Sequence, residues 1–352
     1  MSSTGPAIFD GHNDVLTRIL KAGGLPAAES FVSGRDGHID LEKSRAGGFG
    51  GGFFAIWVPS PKSGDAKPED ATTLRNDMPL AAEISAAEAM QVVMAEAAIL
   101  NRLEELDALK ICTSVAQIRE CLAAERMAAI MHMEGAEAID PDFHALYVLY
   151  RAGLRSLGPV WSRPTIYAEG VPFRYPSTPD IGGGLTDAGR RLVDKCNSLG
   201  IMIDLSHLNE AGFWDVAARS KHPLVASHSN VHAICPHARN LTDKQLAAIA
   251  ESDGLIGVNF AVAFLREDGK MRADVPLDQV LRHFDHLIAI AGEDRVGFGS
   301  DFDGAVVPKD ISDVSGLPNL RHAMREHGYD EALMTKLCHG NWLRVLEKTW
   351  GP

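Results

Sequence analysis

The sequence predicts an α/β fold, a (β/α)8 barrel of the TIM type. Eight short apolar runs punctuate the 352 residues, each ending in polar residues, as strands buried on both faces of a parallel sheet do. Amphipathic helical patterns fill the intervals, so strand and helix alternate from end to end. The rival, a doubly wound open sheet, typically carries G-x-G-x-x-G between its first strand and helix, and that fingerprint is missing. One domain over residues 1–352 is expected, with no internal repeat.

The first run is AIFDGHNDV from residue 7, the second FGGGFFAIWVPS from 49, the third MAAIMHMEGAEA from 127 and the fourth GLRSLGPVWS from 153. The fifth is GIMIDLSHL from 200, the sixth PLVASHSN from 223, the seventh GLIGVNFAV from 254 and the eighth VGFGSDFDG from 296. Helices are expected over 84–106, 141–151, 186–199, 209–220, 242–252, 277–291 and 329–348. Thr186-Asp187 and the LTDKQL at 241–246 read as helix starts. GGFGGG at 47–52 precedes its strand and contains no lysine, so it is expected to be a close-packed turn rather than a phosphate cradle. The two long connections, 59–80 and 162–185, follow strand ends on the barrel face where active sites form, and are candidates to cover substrate.

Composition narrows the partners. Lys+Arg number 34 against 47 Asp+Glu, a net charge of −13, which disfavours nucleic acid and anionic membrane surfaces. The five cysteines are scattered without a C-x-x-C pair, which argues against a disulfide framework and for a reducing compartment. No secretory signal, anchor signal or apolar stretch of about 18 residues is visible, so a cytoplasmic protein without a membrane anchor is expected.

Barrel chemistry comes from the C-terminal ends of strands. Collecting the ionisable residues there gives His12 and Asp14 from the first run, Glu134 from the third, His207 from the fifth, His228 from the sixth, and Asp301 and Asp303 from the eighth. Any one of these reads as a capped or hydrogen-bonded residue; together they point to metal. Imidazole and carboxylate suit Zn2+ or a similar divalent ion. Five ligands exceed one tetrahedral zinc, so two ions sharing a carboxylate explain the count better, and a carboxylate outside the ligand set can move protons. Asn13, between His12 and Asp14, is expected to face away, Asp10 to support the strand exit behind the ligands, and Asp303 to turn or cap its loop.

The series DGHNDV, HMEGAEAI, IDLSHLNEAGFWDV, PLVASHSN…ARNLTD and GFGSDFDG resembles the motifs of the membrane (renal) dipeptidase family, peptidase family M19, among the amidohydrolase-like barrels. The match runs from residue 8 to about 345. The resemblance implies a zinc-dependent dipeptidase with two Zn2+ per chain, in which a hydroxide between the ions attacks the carbonyl of a dipeptide. His12 and Asp14 resemble the ligands of one zinc, His207 and His228 those of the other, and Glu134 the bridging carboxylate. Asp301 resembles the acid/base and Arg239 the group that grips the substrate's terminal carboxylate, a task suited to a guanidinium fork. A homodimer is also implied by the resemblance alone.

Two positions depart from the pattern of mammalian members. Trp161 stands where those have a histidine that helps hold the scissile carbonyl oxygen, and Ala261 where they have a tyrosine near the substrate. Trp161 is a candidate substrate-binding residue whose N–H can donate one hydrogen bond but cannot act as a cation. The rival functions are a related binuclear hydrolase acting on N-acyl-amino acids or another carboxylate-bearing amide or ester, and a barrel that binds metal without catalysis.

Overall fold

The computed structural model describes residues 5–60 and 80–351. Among them nine strands form one parallel sheet: β1 (Ile8–Asn13), β2 (Phe49–Trp57), β3 (Lys110–Ile111), β4 (Ala128–Glu134), β5 (Leu154–Gly158), β6 (Met202–Ile203), β7 (Val225–Ala226), β8 (Leu255–Val258) and β9 (Val296–Phe298). The pairing order is β6-β5-β4-β2-β1-β9-β8-β7, with β3 attached outside the ring to β4. An isolated parallel bridge, Asp204 to Val225, joins the two ends, and Leu205 N donates to Val225 O at 2.8 Å. The ring therefore closes, which decides for the barrel over the open sheet. Its eight strands are the eight expected runs.

Alternation along β4 shows how a strand aims the site. Ala128 and Ile130 point into the barrel with Phe9 and Phe53, while Met131 and Met133 pack outward against the helices. The same period carries His132 and Glu134 to the inner side. Trp342, from the helix Asn341–Trp350, lies in the inner cluster, and its Nε1 donates to Phe298 O at 2.9 Å. Apolar side chains thus fill the inside, and the polar strand ends hold the mouth.

Most expected helices are present: Ala86–Glu105, His144–Ala152, Asp187–Leu199, Glu210–Arg219, Asp243–Glu251 and Leu277–Ala291. Ser85 and Glu88 form a capping box, as do Thr242 and Gln245, and Thr186 Oγ1 accepts from Gly189 N at 3.0 Å. The helix expected from 141 begins at His144 because Asp140 accepts backbone N–H groups from Asp142, His144 and Ala145 and holds the chain in a turn. The last helix is broken into Glu331–Thr335, a π turn at Lys336–Gly340, and Asn341–Trp350, with a further helix, Leu317–Glu326, ahead of it. Val115–Ala123, between β3 and β4, has no counterpart in the sequence reading.

GGFGGG is not a turn. Gly47 ends a helix and Gly50 to Gly52 lie inside β2. A Cβ on Gly51 would sit 1.9 Å from Ala128 O, so these glycines let β2 approach its neighbours. Of the two long connections, 59–80 falls almost entirely outside the described residues.

Candidate active site and metal centre

The strand ends converge. His12 lies near the end of β1, Asp14 is the N-cap of the helix Val15–Lys21, Glu134 ends β4, and His207 and His228 follow β6 and β7. All five are buried. His207 Nε2 lies 3.2 Å from His228 Nε2, and Glu134 Oε1 is 3.0 Å from the first and 3.4 Å from the second. His12 Nε2 is 3.3 Å from Asp14 Oδ2 and 3.7 Å from Glu134 Oε1. Bond lengths of about 2.0–2.1 Å at a tetrahedral zinc put neighbouring donors about 3.3 Å apart. One oxygen, Glu134 Oε1, faces the Nε2 atoms of all three imidazoles. The donor set fits a divalent ion in chemistry and in spacing.

Hydrogen bonds aim the imidazoles. His207 Nδ1 meets Ser162 Oγ at 2.8 Å and His228 Nδ1 meets Ser227 Oγ at 2.7 Å, which leaves both Nε2 atoms facing the centre. His12 Nδ1 has no hydrogen-bond partner among the described residues; its ring stacks on that of His228 at 3.8 Å.

Burial drives the electrostatics. It pushes His207 and His228 well below the usual histidine range, helped by the positive Arg239, so both are neutral and ready to ligate. Burial raises Glu134 well above the usual carboxylate range. For His12 burial acts downward, but the charges of Glu134 and Asp14 outweigh it and lift the ring to about 10. The metal-free cluster therefore retains protons that a divalent cation would displace.

Backbone strain collects at the same place. His207 and Asp301 adopt φ of +68° and +61°, and Asp303 +67°. Non-glycine residues in that region cost about 1–3 kcal/mol each and persist where the surroundings enforce them. Gly304 explains part of the enforcement: a Cβ there would lie 2.1 Å from Asp14 Oδ2 and 2.3 Å from Asp301 Oδ1. The turn after β9 must be bare for the two carboxylates to approach.

Asp301 comes within 4.8 Å of the ligand atoms of His12 and Asp14, and its Oδ2 accepts from Asn259 Nδ2 at 3.0 Å. Burial, then the charge of Asp14, pushes its carboxyl up to about 6, a value suited to proton exchange near neutrality. Arg239 is buried; its Nη2 donates to His228 O at 3.0 Å and its Nη1 to Ser229 Oγ at 3.4 Å. Its Nε lacks a partner among the described residues. The supporting residues fall as expected in part. Asn13 turns away and donates to Phe53 O at 3.0 Å. Asp303 clamps its loop, accepting from His38 N and Arg35 Nη1 at 2.8 Å each. Asp10 touches no ligand ring; it accepts Ser300 N and Oγ at 2.7 Å each, tying β1 to the residue before Asp301.

The chain matches the family model for membrane dipeptidase (peptidase family M19) over residues 4–350. It belongs to that family. With membership comes the class of metallo-dipeptidases, metal-dependent hydrolases of dipeptides. A Rhodobacter sphaeroides metallo peptidase, solved with a phosphinate mimic of the dipeptide L-Ala-D-Ala, is 54% identical, with TM-score 0.94 over 98% of this chain and 100% of that one. The dipeptidase AC, another M19 metallo peptidase, is 53% identical, with TM-score 0.92 over 99% of each chain. A Klebsiella pneumoniae protein from the region 5′ of pqqA is 46% identical over 263 residues, 74% of this chain and 97% of its own. No helix among the described residues is long and apolar enough to cross a membrane.

Above the centre of this M19 chain lies a cavity of about 490 Å³. Asp14, Glu134, His207, Asp301 and Trp161 line it; His12, His228 and Arg239 are not part of the lining. Trp161 packs edge-on against Trp57 at 5.1 Å and beside Phe173 at 5.4 Å, with the Arg163 guanidinium 5.0 Å from its ring. Arg163 is buried and paired with Glu137 at 2.8 Å. Ala261 is also in the lining, where its small side chain leaves room. Phe173 comes from the connection 162–185, which reaches the site as expected; Val171 N also donates to His207 O at 2.8 Å. Sequence reasoning missed Trp57, Phe173, His237, Phe264 and Asn259. Trp57 and Asn259 carried a signal, since both stand at the ends of expected strands; His237 and Phe264 carried none.

Proposed function

We propose that this chain is a binuclear zinc dipeptidase that accepts a D-configured as well as an L-configured C-terminal residue. The observation that carries the metal half is the donor triangle of His207, His228 and Glu134, with edges of 3.2, 3.0 and 3.4 Å, flanked by His12 and Asp14. The L-Ala-D-Ala mimic bound to the 54% identical Rhodobacter sphaeroides protein supports the D-residue.

When bound, two ions supply Lewis acidity toward the scissile carbonyl and lower the pKa of the attacking water. Asp301 takes a proton from that water and returns it to the leaving amine, with Asn259 holding the carboxyl in place. Arg239 places its buried positive charge behind His228 and Ser229, where it attracts the substrate's terminal carboxylate. Trp161, Trp57 and Phe173 form an apolar wall for side chains and exclude water. Trp161 brings no cation, so from that position it can offer the scissile carbonyl one N–H donor at most. The buried, free state of all five cysteines supports a cytoplasmic setting.

A panel of L-Xaa-L-Xaa, L-Xaa-D-Xaa and N-acyl-amino acid substrates tests the reading on the zinc-loaded enzyme. Cleavage of both dipeptide sets is expected. Cleavage of the acylated set alone would replace the dipeptidase with an N-acyl-amino acid hydrolase.

A further inference from the structure

We propose that Asp204 is a positioning residue for the metal centre: acting through Ser227, it fixes the tautomer of His228 so that Nε2 presents a lone pair to the ion. The inference rests on the metal-site reading above.

Asp204 stands where the barrel closes, and side chains do there what a strand ladder does elsewhere. Among the described residues one isolated bridge, Asp204 to Val225, joins the chain just past β6 to β7. The Asp204 carboxylate crosses the same seam: Oδ1 accepts Ser206 N at 3.0 Å and Ser227 N at 2.8 Å, and Oδ2 accepts the Ser227 hydroxyl. Ser206 Oγ in turn accepts His228 N at 3.0 Å. The loops that carry His207 and His228 are thus held to each other by one buried acid.

Proton counting gives this cluster a direction. A carboxylate has only lone pairs to offer, so the single hydroxyl proton of Ser227 must point at Asp204. Ser227 Oγ is then an acceptor toward His228 Nδ1, 2.7 Å away, and the ring must carry its proton on Nδ1. Nε2, 3.2 Å from His207 Nε2 and 3.4 Å from Glu134 Oε1, is left with its lone pair facing the centre. His207 Nδ1 meets Ser162 Oγ and His12 Nδ1 has no hydrogen-bond partner among the described residues, whereas His228 Nδ1 is tied through a serine to a carboxylate.

The Asp204→Asn substitution reverses the direction while preserving shape. The two backbone N–H groups on Oδ1 keep the amide oxygen at that position. The NH2 group then faces Ser227 and can only donate. The Ser227 proton turns toward His228 Nδ1, the ring proton moves to Nε2, and the lone pair leaves the metal side.

The test uses the full chain, stripped with chelator and checked for folding by circular dichroism, and reads Zn2+ affinity by competition with a chromogenic chelator. Asp204→Asn is expected to weaken the tighter or the weaker site by about 10–100-fold. Ser227→Ala is expected to weaken the same site by about 10-fold, and in that background Asp204→Asn is expected to add less than about 3-fold, because the relay is already cut. Long-range 1H–15N spectra of the metal-free chain should place the His228 proton on Nδ1 in the wild type and on Nε2 in Asp204→Asn. Wild-type Zn2+ affinity in folded Asp204→Asn overturns the inference. So does an undiminished Asp204→Asn penalty in the Ser227→Ala background, which would make Asp204 a seam brace only. Should Asp204→Asn fail to fold, Ser227→Ala decides alone, and unchanged affinity there overturns the relay. A wild-type chain that takes up no Zn2+ overturns the metal-site reading itself.

Discussion

Asp301→Asn should damage activity and improve the stability of the metal-free protein, and the two effects come from the same burial. Asp301 is pushed from the ordinary carboxylate value of 3.8 to about 6, mainly by burial and then by Asp14. A shift of about two units corresponds to about 3 kcal/mol against the charged form. The sign follows from proton binding: between about pH 4 and 6 the folded state holds a proton that the unfolded state has released, so stability falls as pH rises through that window. Above about pH 6 the full penalty persists. Asparagine carries no charge and keeps the bond from Asn259, so the metal-free variant should gain up to about 3 kcal/mol at about pH 7 and lose the decline between about pH 4 and 6. Activity moves the other way. An amide accepts no proton, and loss of a general acid–base group costs about 10²- to 10⁴-fold in kcat. Urea unfolding of chelated protein at about pH 4 and pH 7, beside dipeptide turnover of the zinc-loaded variant, measures both. Near-normal turnover, or a metal-free variant less stable than the wild type at neutral pH, would refute the reasoning.

Three further substitutions separate the parts of the site. Gly304→Ala forces a methyl group against Asp14 and Asp301, which must each retreat by about 1 Å; a displacement of that size costs about 100-fold in kcat/KM, and wild-type kinetics would show that the turn is pliable. Arg239→Lys keeps the charge but loses the fork, and should raise KM for free-carboxylate dipeptides about tenfold while Zn2+ content stays the same; an equal effect on C-terminally amidated dipeptides would remove the carboxylate from its role. Glu137→Ala strands the Arg163 guanidinium in the interior beneath Trp161 and should destabilise the fold by about 3–5 kcal/mol, read as a fall in the urea midpoint.

The site was legible wherever one local rule sufficed. A strand that runs apolar and ends polar puts its last ionisable side chain at the mouth, and this located Glu134 on β4, His207 after β6 and Asp301 after β9 without any knowledge of their contacts. The same rule applied to neutral and aromatic residues would have added Trp57 and Asn259. What stayed hidden depends on geometry the sequence does not spell out. His237, Phe264 and Phe173 reach the cavity from segments whose paths follow from tertiary packing rather than periodicity. The positive φ of His207, Asp301 and Asp303 is imposed by neighbours and opposes local preference, so no propensity could signal it. The glycines of β2 looked like a turn because their function, close approach to Ala128 and Asp10, belongs to strands far away in sequence. The last helix read as continuous because a π turn leaves the apolar pattern nearly intact.

The proposed function rests on two ions acting together at this site. Titration of chelated enzyme with Zn2+, with turnover of L-Ala-D-Ala followed in the same samples, tests this most directly. Turnover should rise and level off at about two equivalents per chain, with the donor sets around Glu134 filled. A plateau at one equivalent, or turnover by the chelated chain, would contradict it.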